Sequence, residues 1–318
     1  ASAAALYGSR GGNGVINITT KQGTKRKGIG VNFSSNTSFE SLYDQSELQQ
    51  KYGGGAYVNG VATKPTTEQQ GFNWGSDNWG PALDGSQSVQ FDGVSRPYSK
   101  VGDNFAKFFE TGISTTNTLS MSGGGENQSF RFSVGDLRSS SIVPNSGFNR
   151  TNLSFNVNSK FGEKLTLNAK ALYSHESAKN RPSVSDSPNN AIQAIWTIPN
   201  NVDVNSYYGD RSKPGAIPIG TSDALLNIYG QGGAPKIPGQ EWLPAANNWG
   251  QNPYWATHIS ENSDVRDRIV TSAALNYDFT DWLYAKVQVG MDWLTRRNTG
   301  LTPEGIGYNL GGSRSEGY

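Results

Sequence analysis

Several stretches of this chain alternate apolar and polar residues with a period of two, and a chain written that way is constrained to make sheets with two unlike faces. In 151–161, Leu153, Phe155, Val157 and Phe161 alternate with Asn152, Ser154, Asn156, Asn158 and Lys160. In 164–174, Leu165, Leu167, Ala169, Ala171 and Tyr173 oppose Lys164, Thr166, Asn168, Lys170 and Ser174, with Leu172 out of step. The pattern returns in 267–279, where Ile269, Ala273, Leu275, Tyr277 and Phe279 face away from Arg268, Ser272, Asn276 and Asp278. It also fills 282–293, where Leu283, Ala285, Val287, Val289, Met291 and Trp293 oppose Lys286, Gln288 and Asp292. Earlier, 29–39 sets Ile29, Val31, Phe33 and Phe39 against Asn32, Ser34, Asn36 and Ser38, and 117–134 reads as a hairpin around Gly123-Gly124-Gly125. Seven strands are expected.

The connections discriminate between sheet architectures. Tight turns at Gly123–Gly125, Gly162-Glu163 and Thr280-Asp281 contrast with long links over about 40–115, about 178–264 and from about 299, while 139–148 is intermediate. Short turns at one end and long loops at the other is the layout of an outer-membrane β-barrel, and strands of about 10–12 residues suit a tilted bilayer crossing. Odd-numbered apolar residues are then expected to face lipid and even-numbered polar residues a lumen. Aromatics at strand ends (Tyr173, Tyr277, Phe279, Trp282, Trp293) fit interfacial girdles, and equally fit ordinary strand-end packing. A soluble surface β-sandwich, either an adhesin or a carbohydrate-binding module, also alternates. Its loops are usually short at both ends, and its outer face is seldom this rich in Asn, Ser and Thr. A bacterial single-chain barrel has an even number of strands, so seven imply further chain.

Composition narrows the functional classes. Lys+Arg 27 against Asp+Glu 26 gives a net charge of +1, which argues against a nucleic-acid-binding protein held by bulk charge. Only 34% is hydrophobic, with 39 Gly and 30 Asn, which disfavours a large compact α/β enzyme, while 11% aromatics disfavours a disordered tail. There is no cysteine, so disulfides, thiolate metal sites and cysteine nucleophiles are excluded, and two histidines cannot build a multi-histidine metal site. No apolar run reaches the roughly 18 residues of a membrane helix. Ala1 opens without a signal-peptide pattern, so the start reads as cut or processed.

Residues 1–23 differ from the rest. Ala1–Tyr7 favours helix, Gly8-Ser9-Arg10-Gly11-Gly12-Asn13-Gly14 breaks it, and Val15–Thr20 favours strand. A phosphate loop needs its glycines before the helix, so the order here reads instead as a helix C-cap and a turn into a strand. The run from Ala5 to Lys21, including Tyr7, Gly8, Ser9, Arg10, Gly11, Asn13 and Gly14, resembles the end of the plug domain of TonB-dependent outer-membrane transporters of the SusC/RagA type. Asn104 with Phe108–Gly112, Thr116–Gly124, Ile142–Arg150, Asn252–Trp255, Asp267-Arg268 and Asp281–Leu283 resemble later landmarks of that family, in order and over most of the chain.

The resemblance implies an all-β fold: part of a transmembrane antiparallel β-barrel, about seven of about 22 strands, preceded by the last strand of a plug. Residues 1–24 would end the plug, and 25–318 would open the barrel, with extracellular loops at about 40–115, 139–148, 178–264 and 299–318. It implies a parent protein in the outer membrane of a Gram-negative, Bacteroidota-type bacterium, in contact with its lipid. That parent would import oligosaccharides or peptides beneath a SusD-like surface lipoprotein and be energised by a TonB–ExbB–ExbD complex through a segment N-terminal to these residues. It implies no enzyme, no cofactor and no nucleic acid.

Candidate chemistry is sparse. His175 beside Glu176 and His258 in a loop belong to no recognisable nucleophile arrangement. Asp264 with Asp267, or Asp77 with Asp84, lack the ordered spacing of a calcium loop and read as caps and surface charges. The first long loop carries Tyr43, Tyr52, Tyr57, Trp74 and Trp79, and the second Trp196, Tyr207, Tyr208, Trp242, Trp249, Tyr254 and Trp255. Two readings fit these aromatics: stacking on a sugar ring, for which Trp74, Trp79, Trp242, Trp249 and Trp255 are the candidates, or the small cores that loops of this length need. Lys25-Arg26-Lys27 fits either an anion-facing rim or a solvated linker.

Overall fold

The computed structural model describes residues 8, 21, 23, 26–44, 46–75, 78–185, 187, 189–218, 239–243, 252–301 and 303–306. Seven long strands form one antiparallel sheet in chain order: β1 Arg26–Glu40, β2 Gly112–Gly124, β3 Gln128–Ser140, β4 Gly147–Phe161, β5 Leu165–Lys179, β6 Glu261–Asp278 and β7 Tyr284–Leu301. Every pairing joins neighbours in sequence, and the sheet is open, with β1 and β7 at its edges. The strands run 13 to 18 residues, longer than their apolar alternation. The excess lies mainly at the ends carrying the long loops, where both faces are polar and the period disappears.

The register lines the apolar residues up in rows. One row crosses all seven strands through Phe33, Leu119, Val134, Leu153, Tyr173, Ile269 and Trp293. The next holds Val31, Met121, Phe132, Phe155, Ala171, Thr271 and Met291. Three shorter rows follow, through Phe130, Val157, Ala169, Ala273 and Val289, then Leu167, Leu275 and Val287, then Phe161, Leu165, Tyr277 and Ala285. Four steps of about 6.6 Å along strands tilted by about 40° give a band about 20 Å high, near the roughly 25 Å apolar band of outer-membrane barrels. Many of these side chains are open to the surroundings: Val31, Phe33, Val287 and Val289 are each 64–66% exposed. A sandwich would bury such a face under a second sheet. Among the described residues the other sheets are only two-stranded hairpins.

The odd-numbered rule for the apolar face fails on β3. There the even-numbered Phe130, Phe132 and Val134 join the odd-numbered residues of the other strands. Gly124 sits opposite Ser129, so the 125–127 turn places even numbers opposite odd ones and reverses the parity for one strand.

The buried core lies elsewhere. The links 41–111 and 180–260 pack together around Phe72, Phe91, Phe105, Phe108, Ile195, Ile198, Val204, Tyr207, Trp242 and Tyr254. Short helices frame it: α1 Glu68–Asn73, α2 Asn104–Phe108, α3 Ala191–Trp196, a 3₁₀ turn Val204–Tyr208 and α4 Pro253–His258. Each begins at a Thr, Asp or Asn whose side chain accepts a backbone N–H, namely Thr67, Asp103, Asn190, Asp203 and Asn252.

Asparagines join the two links. Asn200 donates to the carbonyls of Gln49 and Tyr52. Asn201 accepts from the Gly54 N–H at 2.7 Å. Asn104 donates to the Val202 carbonyl and accepts from the Val204 N–H. Gly71 permits the closest packing of α1, since a Cβ there would stand 2.4 Å from the Gln90 carbonyl carbon.

Candidate functional site: a charged polar face below a packed loop cluster

The face opposite the apolar rows is lined by serine, threonine and asparagine, and crossed by charge. Its rows run Asn36, Thr116, Leu137, Arg150, Glu176, Arg266 and Arg296, then Ser34, Thr118, Gly135, Asn152, Ser174, Arg268 and Leu294. Farther from the loops come Arg131, Asn156 and Lys170 in one row, and Lys160, Thr166, Asn276 and Lys286 in another.

Of the carboxylates on this face, Glu176, Asp264 and Asp292 are each held by an arginine, while Glu40 and Asp278 stand at its two ends. Arg266 meets Glu176 at 2.7 Å. Arg296 donates twice to Asp264, at 2.8 and 2.6 Å, with Arg181 at 3.7 Å from the same carboxylate. Arg268 donates twice to Asp292, at 2.8 and 2.5 Å. Two-pronged arginine–carboxylate pairs fix orientation as well as charge. Beside them the buried Nε of Arg150 has no hydrogen-bond partner. This ladder is legible in the sequence only as shared parity of Arg266, Arg268, Asp292 and Arg296, and the pairing partners across strands come from the register.

The first row above the apolar band, on the other face, is polar: Ser35, Asn117, Asp136, Thr151, His175, Asp267 and Thr295. Tyr173 donates its hydroxyl to Asp267 at 2.7 Å, and His175 Nδ1 lies 2.8 Å from the same carboxylate. Asp264 and Asp267 therefore point to opposite faces, each with its own partners, and cannot share an ion. Asp84 is held by the Ser86 hydroxyl and N–H, which lower its pKa to about 2, and Asp77 lies outside the described residues.

The loop aromatics divide. Trp242 and Trp255 are 7% and 1% exposed, so their ring faces are taken up by protein. Trp74 closes α1 and is half-buried, and Trp249 lies outside the described residues. Trp79 is 66% exposed, with Tyr52 at 6.5 Å between ring centroids and Lys51 over the Tyr52 ring. Burial pushes the hydroxyls of Tyr98 and Tyr254 up to about 12 and that of Tyr207 higher still, so all three stay protonated. His258 ends α4 beside the Tyr254 carbonyl, and burial depresses its pKa. Of the glycine run, Gly8 is described and exposed, at φ +68°. Tyr7, Ser9, Arg10, Gly11, Asn13 and Gly14 lie outside the described residues, as does Lys25.

No protein-family model matches the chain. The TonB-dependent receptor SusC of Bacteroides thetaiotaomicron is 30% identical over 173 residues, which are 54% of this chain and 15% of that receptor. The RagAB peptide importer superposes in its open-open state with a TM-score of 0.63 at 16% identity, over 100% of this chain and 33% of the matched one. In its closed-closed state the TM-score is 0.61 at 16% identity, over 96% and 32%. The chain thus spans about a third of the length of these structures and less of SusC. Sheet and matches together make this chain similar to part of the β-barrel of TonB-dependent receptors. Within that class the chain is SusC/RagA-like. In such a barrel the apolar rows meet lipid and the polar face lines the lumen.

Proposed function

We propose that this chain supplies barrel strands and surface loops to an outer-membrane importer of oligosaccharides or peptides in a Gram-negative bacterium. The importer works with a SusD-like lipoprotein over its loops and draws force from a TonB–ExbB–ExbD complex. Residues 1–24 are the end of its plug. One observation carries the reading: a single sheet presents registered apolar rows on one face and a charged, hydroxyl- and amide-rich face on the other, with both long links at the same end. Transport of this kind makes and breaks no covalent bond. The sheet separates lipid from the path, and the loop cluster forms a stiff rim on which Trp79 remains open for stacking against cargo.

Tags inserted in 41–111 and 180–260 of the full-length protein are expected to label on intact cells. Tags at 162–164 and 279–283 are expected to label only after permeabilisation. Labelling of all four from outside, or secretion of the protein free of membrane, would sink the reading. A SusD-like partner is checked by co-purification from detergent extracts, and cargo by uptake in a deletion strain.

A further inference from the structure

The charge of this chain is unevenly spread. From the row of Asp264 down to the row of Lys286, the polar face carries eight described cations (Arg131, Arg150, Lys160, Lys170, Arg266, Arg268, Lys286 and Arg296) against three carboxylates. Glu176, Asp264 and Asp292 are already held by Arg266, Arg296 and Arg268. Five cations remain with no described carboxylate in ion-pair range. That stretch of the face is therefore +5 in a chain whose total is +1, so the rest of the chain, which includes Glu40 and Asp278 one row beyond either end of the stretch on the same face, is −4. A concave wall of one sign, backed by a low-dielectric layer, focuses its field into the space it encloses and raises the local concentration of the opposite charge. The surroundings of these cations suit sugar hydroxyls. Asn156 lies between Arg131 and Lys170 in their row, Asn158 and Asn168 pair in the next, and Thr166 and Asn276 separate Lys160 from Lys286.

We infer that the cargo passing this wall is anionic, specifically a carboxylate-bearing oligosaccharide, with Arg131, Lys160, Lys170 and Lys286 steering the carboxylates and the intervening amides and hydroxyls bonding the sugar. This rests on the importer reading and names its substrate class. It revises what net charge alone suggested: the balance of the whole chain hides a basic surface.

The test uses the full-length transporter in detergent with three probes of equal length: an oligogalacturonate, its neutral methyl ester and an oligoglutamate peptide. Calorimetry at about 50 and about 500 mM salt separates charge steering from other contacts. The expected result is at least about tenfold tighter binding of the acid than of its ester, lost at high salt. Arg131→Gln with Lys170→Gln should weaken the acid about fivefold and leave the ester unmoved. The heat-dependent gel shift of a folded barrel confirms that the variant is intact. Equal affinity for acid and ester, indifference of the acid to the double variant, or tighter binding of the peptide overturns the inference. Uptake of ester and acid at equal rates by cells refutes the charge argument and leaves the importer reading standing; uptake of neither, with the protein secreted free of membrane, removes both.

Discussion

The sheet and the loop cluster place their apolar residues in opposite ways. In the sheet Phe33, Val31, Val287 and Val289 stand exposed in registered rows, whereas in the loops Phe72, Phe91, Phe108 and Tyr207 are 1–2% exposed. A water-soluble domain puts its core between its regular elements and lets its loops lie on the surface. Here the regular elements are turned outward and the loops hold the core. The difference is one of solvent: a strand face meeting lipid needs no protein partner, while links of this length standing in water must bury apolar surface of their own. Low overall hydrophobicity is thus compatible with a stable fold, because one surface shields its apolar groups with membrane and the other with itself.

The contrast can be broken most sharply inside the cluster. Phe108→Ala removes a fully buried ring and is expected to cost about 3–5 kcal/mol locally. The expected readout is rapid proteolysis within 41–111 and 180–260 while the barrel keeps its heat-dependent gel shift. Loss of both together would mean that the two regions do not fold separately. On the sheet, Val157→Arg in the middle row should destabilise the full barrel by about 2–4 kcal/mol and Asn158→Arg by little, measured by urea unfolding in lipid vesicles. Equal costs would contradict the assignment of faces. Asp103→Ala, which leaves the Phe105 and Ala106 N–H groups uncapped, should cost about 1 kcal/mol and affect only protease protection of the loops.

The smallest effect concerns pH. Burial lowers the pKa of His258 below its ordinary 6.5, so the unfolded chain binds the proton more readily than the folded cluster. Its contribution to stability is fully present above pH about 6.5 and is lost as pH falls toward the lower folded value. Protease protection of the loops should weaken on acidification below pH about 6.5, and His258→Gln should flatten that dependence. A cluster that is tightest at low pH would contradict it.

The strands were largely legible because a period of two survives wherever one face is apolar. Their outer ends were not, since Asn149-Arg150 and His175-Glu176-Ser177 are polar on both faces and carry no alternation. Nor was the reversed parity of β3, which depends on how many residues the turn after Gly124 consumes. The loop core was harder still. Phe72, Phe91 and Phe108 lie far apart in sequence without periodicity, so nothing local distinguishes a buried Trp255 from an exposed Trp79. Abundant asparagine suggested a polar wall, and part of it is, but Asn104, Asn200 and Asn201 instead bind one link to the other.

The central claim is the two-faced sheet, and β3 tests it most directly because its parity is reversed. This chain has no cysteine, so single cysteines placed from 129 to 134 in an otherwise cysteine-free full-length protein can each carry a spin label whose exposure to oxygen in lipid and to a water-soluble relaxant is measured in membranes. The account predicts lipid exposure at 130, 132 and 134 and water exposure at 129, 131 and 133. Lipid exposure at the odd positions, or no alternation, would contradict it.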